Sequence, residues 1–250
     1  MTGRLPVLLV MLALAGPARA EQPVPAECRV AEHHVENIFA LPNVAKAIEA
    51  KQLRILVLGA GSSLLPGGIG EAYPARLQRA LAEKLPGVDV KLAAEVKPKR
   101  TAVEMVKALP AALAAAKPQL VVWQTGTADA IQAVDPDQFS QALDRGINTA
   151  RNAGADVVFI NQQYSPRTES MIALGTYAEN MRWVAVQQEV PLFDRFSIMK
   201  LWADLGTFDL YSATKKLDTA ERVHDCIGRL LADLIVEANK PAEPNALGGR

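Results

Sequence analysis

Arg54-Ile55-Leu56-Val57-Leu58-Gly59-Ala60-Gly61-Ser62-Ser63-Leu64-Leu65-Pro66-Gly67-Gly68 is an apolar run that breaks into a glycine-rich turn carrying two serines. A short run without polar alternation suits a strand buried on both faces. Comparable runs recur at Val88–Leu92, Leu120–Trp123, Val157–Ile160 and, more weakly, Val190–Phe193. Between them the apolar spacing changes to the helical period, over Tyr73–Leu85, Thr101–Ala116, Pro136–Ala153 and Met171–Gln188. Strands that alternate with helices predict right-handed βαβ units, hence an α/β fold with a three-layer, doubly wound, mostly parallel five-stranded sheet. Such sheets hold their ligands at the carboxyl ends of the strands, where the serine turn falls.

Outward from this core, the spacing predicts a short helix over Phe196–Leu205 and a long last one over about Asp218–Glu237, with Asp218 and Glu221 spaced as a capping box. Glu27–Ala50 reads as a helical arm interrupted at Leu41-Pro42. The first twenty residues combine a basic start (Arg4), an apolar run from Leu5 to Ala15 and the small-x-small triplet Ala18-Arg19-Ala20. That pattern predicts a cleaved signal peptide and a periplasmic or secreted protein. The expected organisation is a signal peptide at 1–20, an N-terminal arm at 21–52, one α/β domain at 53–238 and a disordered tail at 239–250.

Charge is balanced, with 27 basic and 27 acidic residues spread along the chain, so no electrostatic footprint for nucleic acid is visible. No run after the leader is long enough to span a bilayer. Cys28 and Cys226, at opposite ends of the mature chain, are expected to form a disulfide in an oxidising compartment; two buried thiols are the alternative. No His, Cys or Asp cluster has metal-ligand spacing, and the adjacent His33 and His34 point to different sides of a helix. No metal and no cofactor is expected.

The turn itself admits three readings. A dinucleotide fingerprint needs a third glycine where Leu64 stands. A purely structural turn would use its glycines only for unusual backbone angles. The third reading is a nucleophilic serine at a strand-to-loop turn, with backbone N–H groups near enough to meet an oxyanion.

For this third reading, Gly61-Ser62-Ser63-Leu64-Leu65-Pro66-Gly67 resembles the first block, G-D-S-x-x-x-G, of the SGNH hydrolases, or GDSL-like esterases. Tyr73-Pro74-Ala75-Arg76-Leu77 and Leu85-Pro86-Gly87 are similar to a bacterial branch of that family. The resemblance covers roughly Leu53 to Ile235. It implies a flavodoxin-like sheet and a serine esterase or deacylase with Ser63 as nucleophile. The same frame puts Ser62 in place of the family's aspartate, Lys99 in place of its second-block glycine, and Ala128 in place of the asparagine of G-x-N-D in Gly126-Thr127-Ala128-Asp129. The implied oxyanion donors are Ser63, Lys99 and Gly126.

The final D-x-x-H block has two registers. Glu221-Arg222-Val223-His224 reproduces its spacing, making His224 the base and Glu221 or Asp218 the group that orients it. Aligning Cys226 with a cysteine of the family instead moves the histidine place to Asp218 and breaks the triad. Gln124, Asp129, Gln162, Tyr164 and Arg167 are the candidate substrate contacts, Thr127 is a pocket residue or helix cap, and Asp194-Arg195 reads as an ion pair or cap. Asn161 to Arg167 reads equally as a polar turn ended by Pro166. The expected substrates are O-acyl or O-acetyl esters of small molecules or glycans. The alternative is a catalytically impaired relative that binds a glycan or acyl ligand.

Overall fold

The computed structural model describes residues 25–31, 34–35, 38–211 and 217–239. The leader and most of the tail lie outside them, as does His33. A 3-10 turn at Ala26–Cys28 and helix α1 (Pro42–Glu49) precede strand β1 (Gln52–Gly59). Then follow α2 (Tyr73–Lys84), β2 (Asp89–Val96), α3 (Ala102–Ala116), β3 (Leu120–Gln124), α4 (Thr127–Ile131), α5 (Pro136–Asn152), β4 (Asp156–Ile160), α6 (Pro166–Glu169), α7 (Leu174–Gln187), β5 (Leu192–Phe193), α8 (Arg195–Asp204) and α9 (Leu217–Glu237). The five strands form one parallel sheet in the order β2-β1-β3-β4-β5, as the α/β pattern predicts.

β3 and β4 are buried at every residue, which is why they read as continuous apolar runs rather than alternating ones. Edge strand β2 is largely exposed beyond Val90, so only its first residues carry the apolar signal. Helix starts are fixed locally. Thr101 and Glu104 close a reciprocal capping box on α3, Asp135 accepts from Asp137 and Gln138 N–H on α5, and Asp194 accepts from Ser197 N–H on α8.

Two expectations change. Among the described residues the arm is not a continuous helix: only the Ala26–Cys28 turn and α1 are helical, with a short turn at His34 and Val35. Pro42 opens α1 from a first-turn position, and Asp156, buried at the start of β4, accepts the N–H groups of Asn43 and Val44 and the Asn43 amide. The second change concerns Asp218, which is the second residue of α9 and exposed, so it does not cap that helix from outside.

Cys28 and Cys226 are joined in a disulfide with Cα atoms 4.9 Å apart. The bridge holds the N-terminal turn to the middle of α9, beside an Arg222–Glu27 ion pair. α9 in turn packs along α2, which follows the serine turn. The disulfide therefore helps to fix the face that α9 presents to the carboxyl ends of the strands.

Candidate functional site

β1 ends at Gly59, and the chain passes through Ala60 into a single 3-10 turn, Gly61–Ser63. Three residues per turn place successive side chains about 120° apart, so the two serines face different surroundings. Gly61 and Ser62 border two cavities, whereas Ser63 points into the protein with 0% exposure. The Ser63 hydroxyl donates to Gln124 Oε1 at 2.9 Å and lies 3.0 Å from the Tyr73 hydroxyl, which donates to it in turn. Gln124 Oε1 also accepts the Ala60 N–H, so its oxygen is fixed toward the turn. The Ser63 proton is thus held in a core network and not offered to a base.

His224 comes from α9 and is 4% exposed. Its Nδ1 accepts the backbone N–H of Tyr73 at 3.0 Å. A neutral imidazole that accepts at Nδ1 carries its proton on Nε2, the reverse of the tautomer a serine's general base needs. Burial, and then the nearby Arg195 and Arg76 charges, press its pKa down to about 3. No hydrogen bond joins His224 to Ser63, nor to Asp218 or Glu221. The triad implied by the resemblance is therefore not assembled in this arrangement, because Tyr73 separates its serine from its histidine and occupies both.

Two of the three expected oxyanion donors are also committed elsewhere. The Ser63 N–H closes the 3-10 turn on Ala60 O at 2.9 Å, and the Gly126 N–H donates to Asp129 Oδ2 at 3.1 Å. Lys99, with a left-handed φ of 63°, borders the second cavity, which has a volume of about 600 Å3. It remains the candidate donor. Ala128, where an amide would help an oxyanion, lines that cavity with only a methyl group.

Three of the five expected substrate contacts, Gln124, Asp129 and Gln162, are buried and packed into the fold. Gln124 supports the turn, as above. Asp129 is fully buried, taking the Ala102 N–H at 2.8 Å and the Thr125 hydroxyl at 3.2 Å besides Gly126, and burial raises its pKa despite these bonds. Gln162 is packed so tightly on Gly126 that a Cβ there would lie 1.9 Å from its Nε2. Arg167 is exposed and sits over the Tyr211 ring at 5.3 Å. Tyr164 alone of the five lines a cavity, edge-on to Phe196. Thr127 is the first residue of α4, which Gly126 precedes as N-cap, so Thr127 is no cap; it borders the second cavity. Since Gly126 has φ +96°, Gly126→Ala combines backbone strain with displacement of Gln162. Its expected cost is about 2 kcal/mol or more, seen as a lower denaturant midpoint.

The first cavity has a volume of about 490 Å3. Its walls are mostly apolar, built from Leu64, Leu65, Met199, Leu210, Leu217 and Val223, while Ser62, Gln163 and His224 supply polar groups. This is the form of a small-molecule site: a concave apolar space with a few converging polar side chains.

Arg195 departs from the expected Asp194-Arg195 ion pair. Asp194, its expected partner, pairs instead with Arg182 at 2.8 Å and with the Asn161 amide. Arg195 is left fully buried, donating to Ser62 O at 3.1 Å and Gln163 Oε1 at 2.9 Å, with its guanidinium 5.8 Å from the centre of the Tyr73 ring. An arginine between Phe193 and Phe196, beside a single aspartate, was the available signal.

A parallel β2-β1-β3-β4-β5 sheet with a serine turn after its first strand defines a hydrolase fold of the SGNH type, the class of the serine ester hydrolases. The chain belongs to the non-GDSL lipase-like family, which its residues 27–241 match. It is similar to the solved structure of TesA at 25% identity, with a TM-score of 0.56 over 72% of this chain and 98% of that one. Esterase EstA from Pseudoalteromonas is 16% identical, with a TM-score of 0.57 over 74% and 97% of the two chains. Axe2, an acetylxylan esterase from Geobacillus stearothermophilus, is 14% identical, with a TM-score of 0.59 over 73% and 94%. The last two likenesses carry the fold alone. No curated protein sequence matches the chain. Among the described residues there is no helix long and apolar enough to cross a membrane, and no cluster of three His, Cys, Asp or Glu able to hold a metal ion.

Proposed function

We propose that the protein is an exported SGNH-type hydrolase of carboxylic esters, O-acyl or O-acetyl, whose substrate enters the cavity between the serine turn and α9. The observation that carries this reading is the meeting of the turn and His224 in one apolar-walled cavity beyond the strand ends. Ser62 is the serine of the turn that borders both cavities, and its hydroxyl, shielded from solvent, has no hydrogen-bond partner among the described residues, so a change of rotamer can turn it toward a bound substrate. Attack by this hydroxyl on the ester carbonyl would release the alcohol with the serine proton. Water would then take the acyl group as its acid. Turnover is expected to be slow, because a histidine with its proton on Nε2 must exchange that proton before it can accept another. The signal-like leader and the Cys28–Cys226 bridge support export to an oxidising compartment.

The committed N–H groups and the His224 tautomer favour a second reading, a protein that binds an acyl or glycan ligand with little turnover. Purified mature protein assayed on p-nitrophenyl acetate and butyrate separates the two. Hydrolysis that falls to background in Ser62→Ala but persists in Ser63→Ala is the expected result for the enzyme. Loss only in Ser63→Ala would restore Ser63 as nucleophile and require the core network to open. No hydrolysis by folded wild type over a wider ester panel would leave the binding reading.

A further inference from the structure

Arg195 is a full positive charge with 0% exposure, and no carboxylate among the described residues pairs with it. Its hydrogen bonds go to neutral acceptors and its Nε has none. A buried guanidinium without a counter-charge costs several kcal/mol, so the charge invites an anion. Both acceptors, Ser62 and Gln163, belong to the wall of the 490 Å3 cavity. Because Gln163 Oε1 is taken by Arg195, its amide NH2 is the end left over. Because Tyr73 N–H holds His224 Nδ1, the imidazole keeps an Nε2–H. Ser62 adds a hydroxyl with no partner, though that hydroxyl is itself shielded from solvent. Two donors, with the shielded Ser62 hydroxyl beside them, thus belong to the wall of one cavity with a buried cation behind it, and much of the remaining wall is aliphatic.

We propose that this cavity is a binding site for a monocarboxylate with an aliphatic tail, its carboxylate held by Gln163 and His224, beside Ser62 and in the field of Arg195, and its tail lying against Leu64, Leu65, Met199 and Val223. The inference shares its cavity with the proposed ester site but does not depend on turnover there. The same carboxylate could be the acid left by ester hydrolysis or an acid taken up from solution.

The test is calorimetric titration of the mature protein with octanoate, and with octanamide as a neutral probe of the same shape. A charge-assisted carboxylate contact predicts binding of octanoate about tenfold tighter or more than octanamide. In Gln163→Glu the new carboxylate would stand where Oε1 already meets Arg195 and supply the missing counter-charge. That variant should melt at a higher temperature than wild type while losing the preference for octanoate. Arg195→Met, which removes the buried charge, should lose the preference as well. Equal affinities for octanoate and octanamide, no octanoate binding, or an undiminished preference in a folded Gln163→Glu protein would overturn the proposal. Mass spectrometry after incubation with methyl octanoate distinguishes the sources. Octanoate release assigns the bound acid to hydrolysis, and its absence alongside the binding preference assigns it to uptake; each accords with a carboxylate site, whatever becomes of the esterase reading.

Discussion

Removing the disulfide by Cys28→Ser with Cys226→Ser is expected to lower unfolding stability by about 2–5 kcal/mol, read from urea or guanidinium unfolding at neutral pH. The bridge spans 198 residues, and in chain-entropy terms a closed loop of that size restrains the unfolded chain by about 5 kcal/mol. Native-state consequences add to this. Cys226 is fully buried in α9, two residues from His224, and Cys28 sits in a three-residue turn with few other ties than the Arg222–Glu27 pair. Without the covalent link the turn should detach, and α9 should lose the restraint that sets its rotation against α2. A stability change under about 1 kcal/mol would mean that helix packing alone fixes α9, and that the bridge contributes little to the shape of the cavity.

The sheet was legible because its signals are local and redundant. Each strand is an apolar run ended by a turn, and each helix between them shows the other period, so small boundary errors do not change the topology. The site was less legible, for a reason seen at Ser62 and Ser63. A motif fixes which residues share a turn but not the phase of that turn, and a rotation of about 120° separates a serine at a cavity wall from one tied into the core network. His224 shows the same limit on a helix: the spacing Glu221-Arg222-Val223-His224 says nothing of the Tyr73 N–H that claims Nδ1 from another element. Asp194-Arg195 invited an ion pair because the two are adjacent, yet neighbours at a helix start point apart, and Arg182 of α7 reaches Asp194 first. The arm failed differently, since its apolar residues pack without a continuous helix to set their period.

The imidazole that interrupts the triad also predicts acid sensitivity. His224 is pressed to about 3 in the folded protein against an ordinary value of 6.5. Between those values the unfolded chain binds a proton that the native state refuses, so stability falls as pH is lowered from about 6.5 toward 3. At up to about 1.4 kcal/mol per unit, moving from neutrality to about pH 4.5 should cost roughly 2–3 kcal/mol from this group. Asp129 and Asp156 oppose the trend, since burial raises both carboxyls and the native state then takes up protons more readily. Comparison with His224→Gln isolates the histidine, because the amide oxygen can accept the Tyr73 N–H and does not titrate in this range. Urea midpoints at about pH 7.5, 6 and 4.5 should therefore fall more steeply in wild type than in the variant. Parallel slopes would show that His224 titrates near its ordinary value. It would then have the pKa of an effective general base, and slow turnover would rest on its tautomer alone. The steeper wild-type slope would instead mark a histidine kept neutral by its burial and by two arginines, suited to donating from Nε2 to a bound carboxylate rather than to taking a proton from serine.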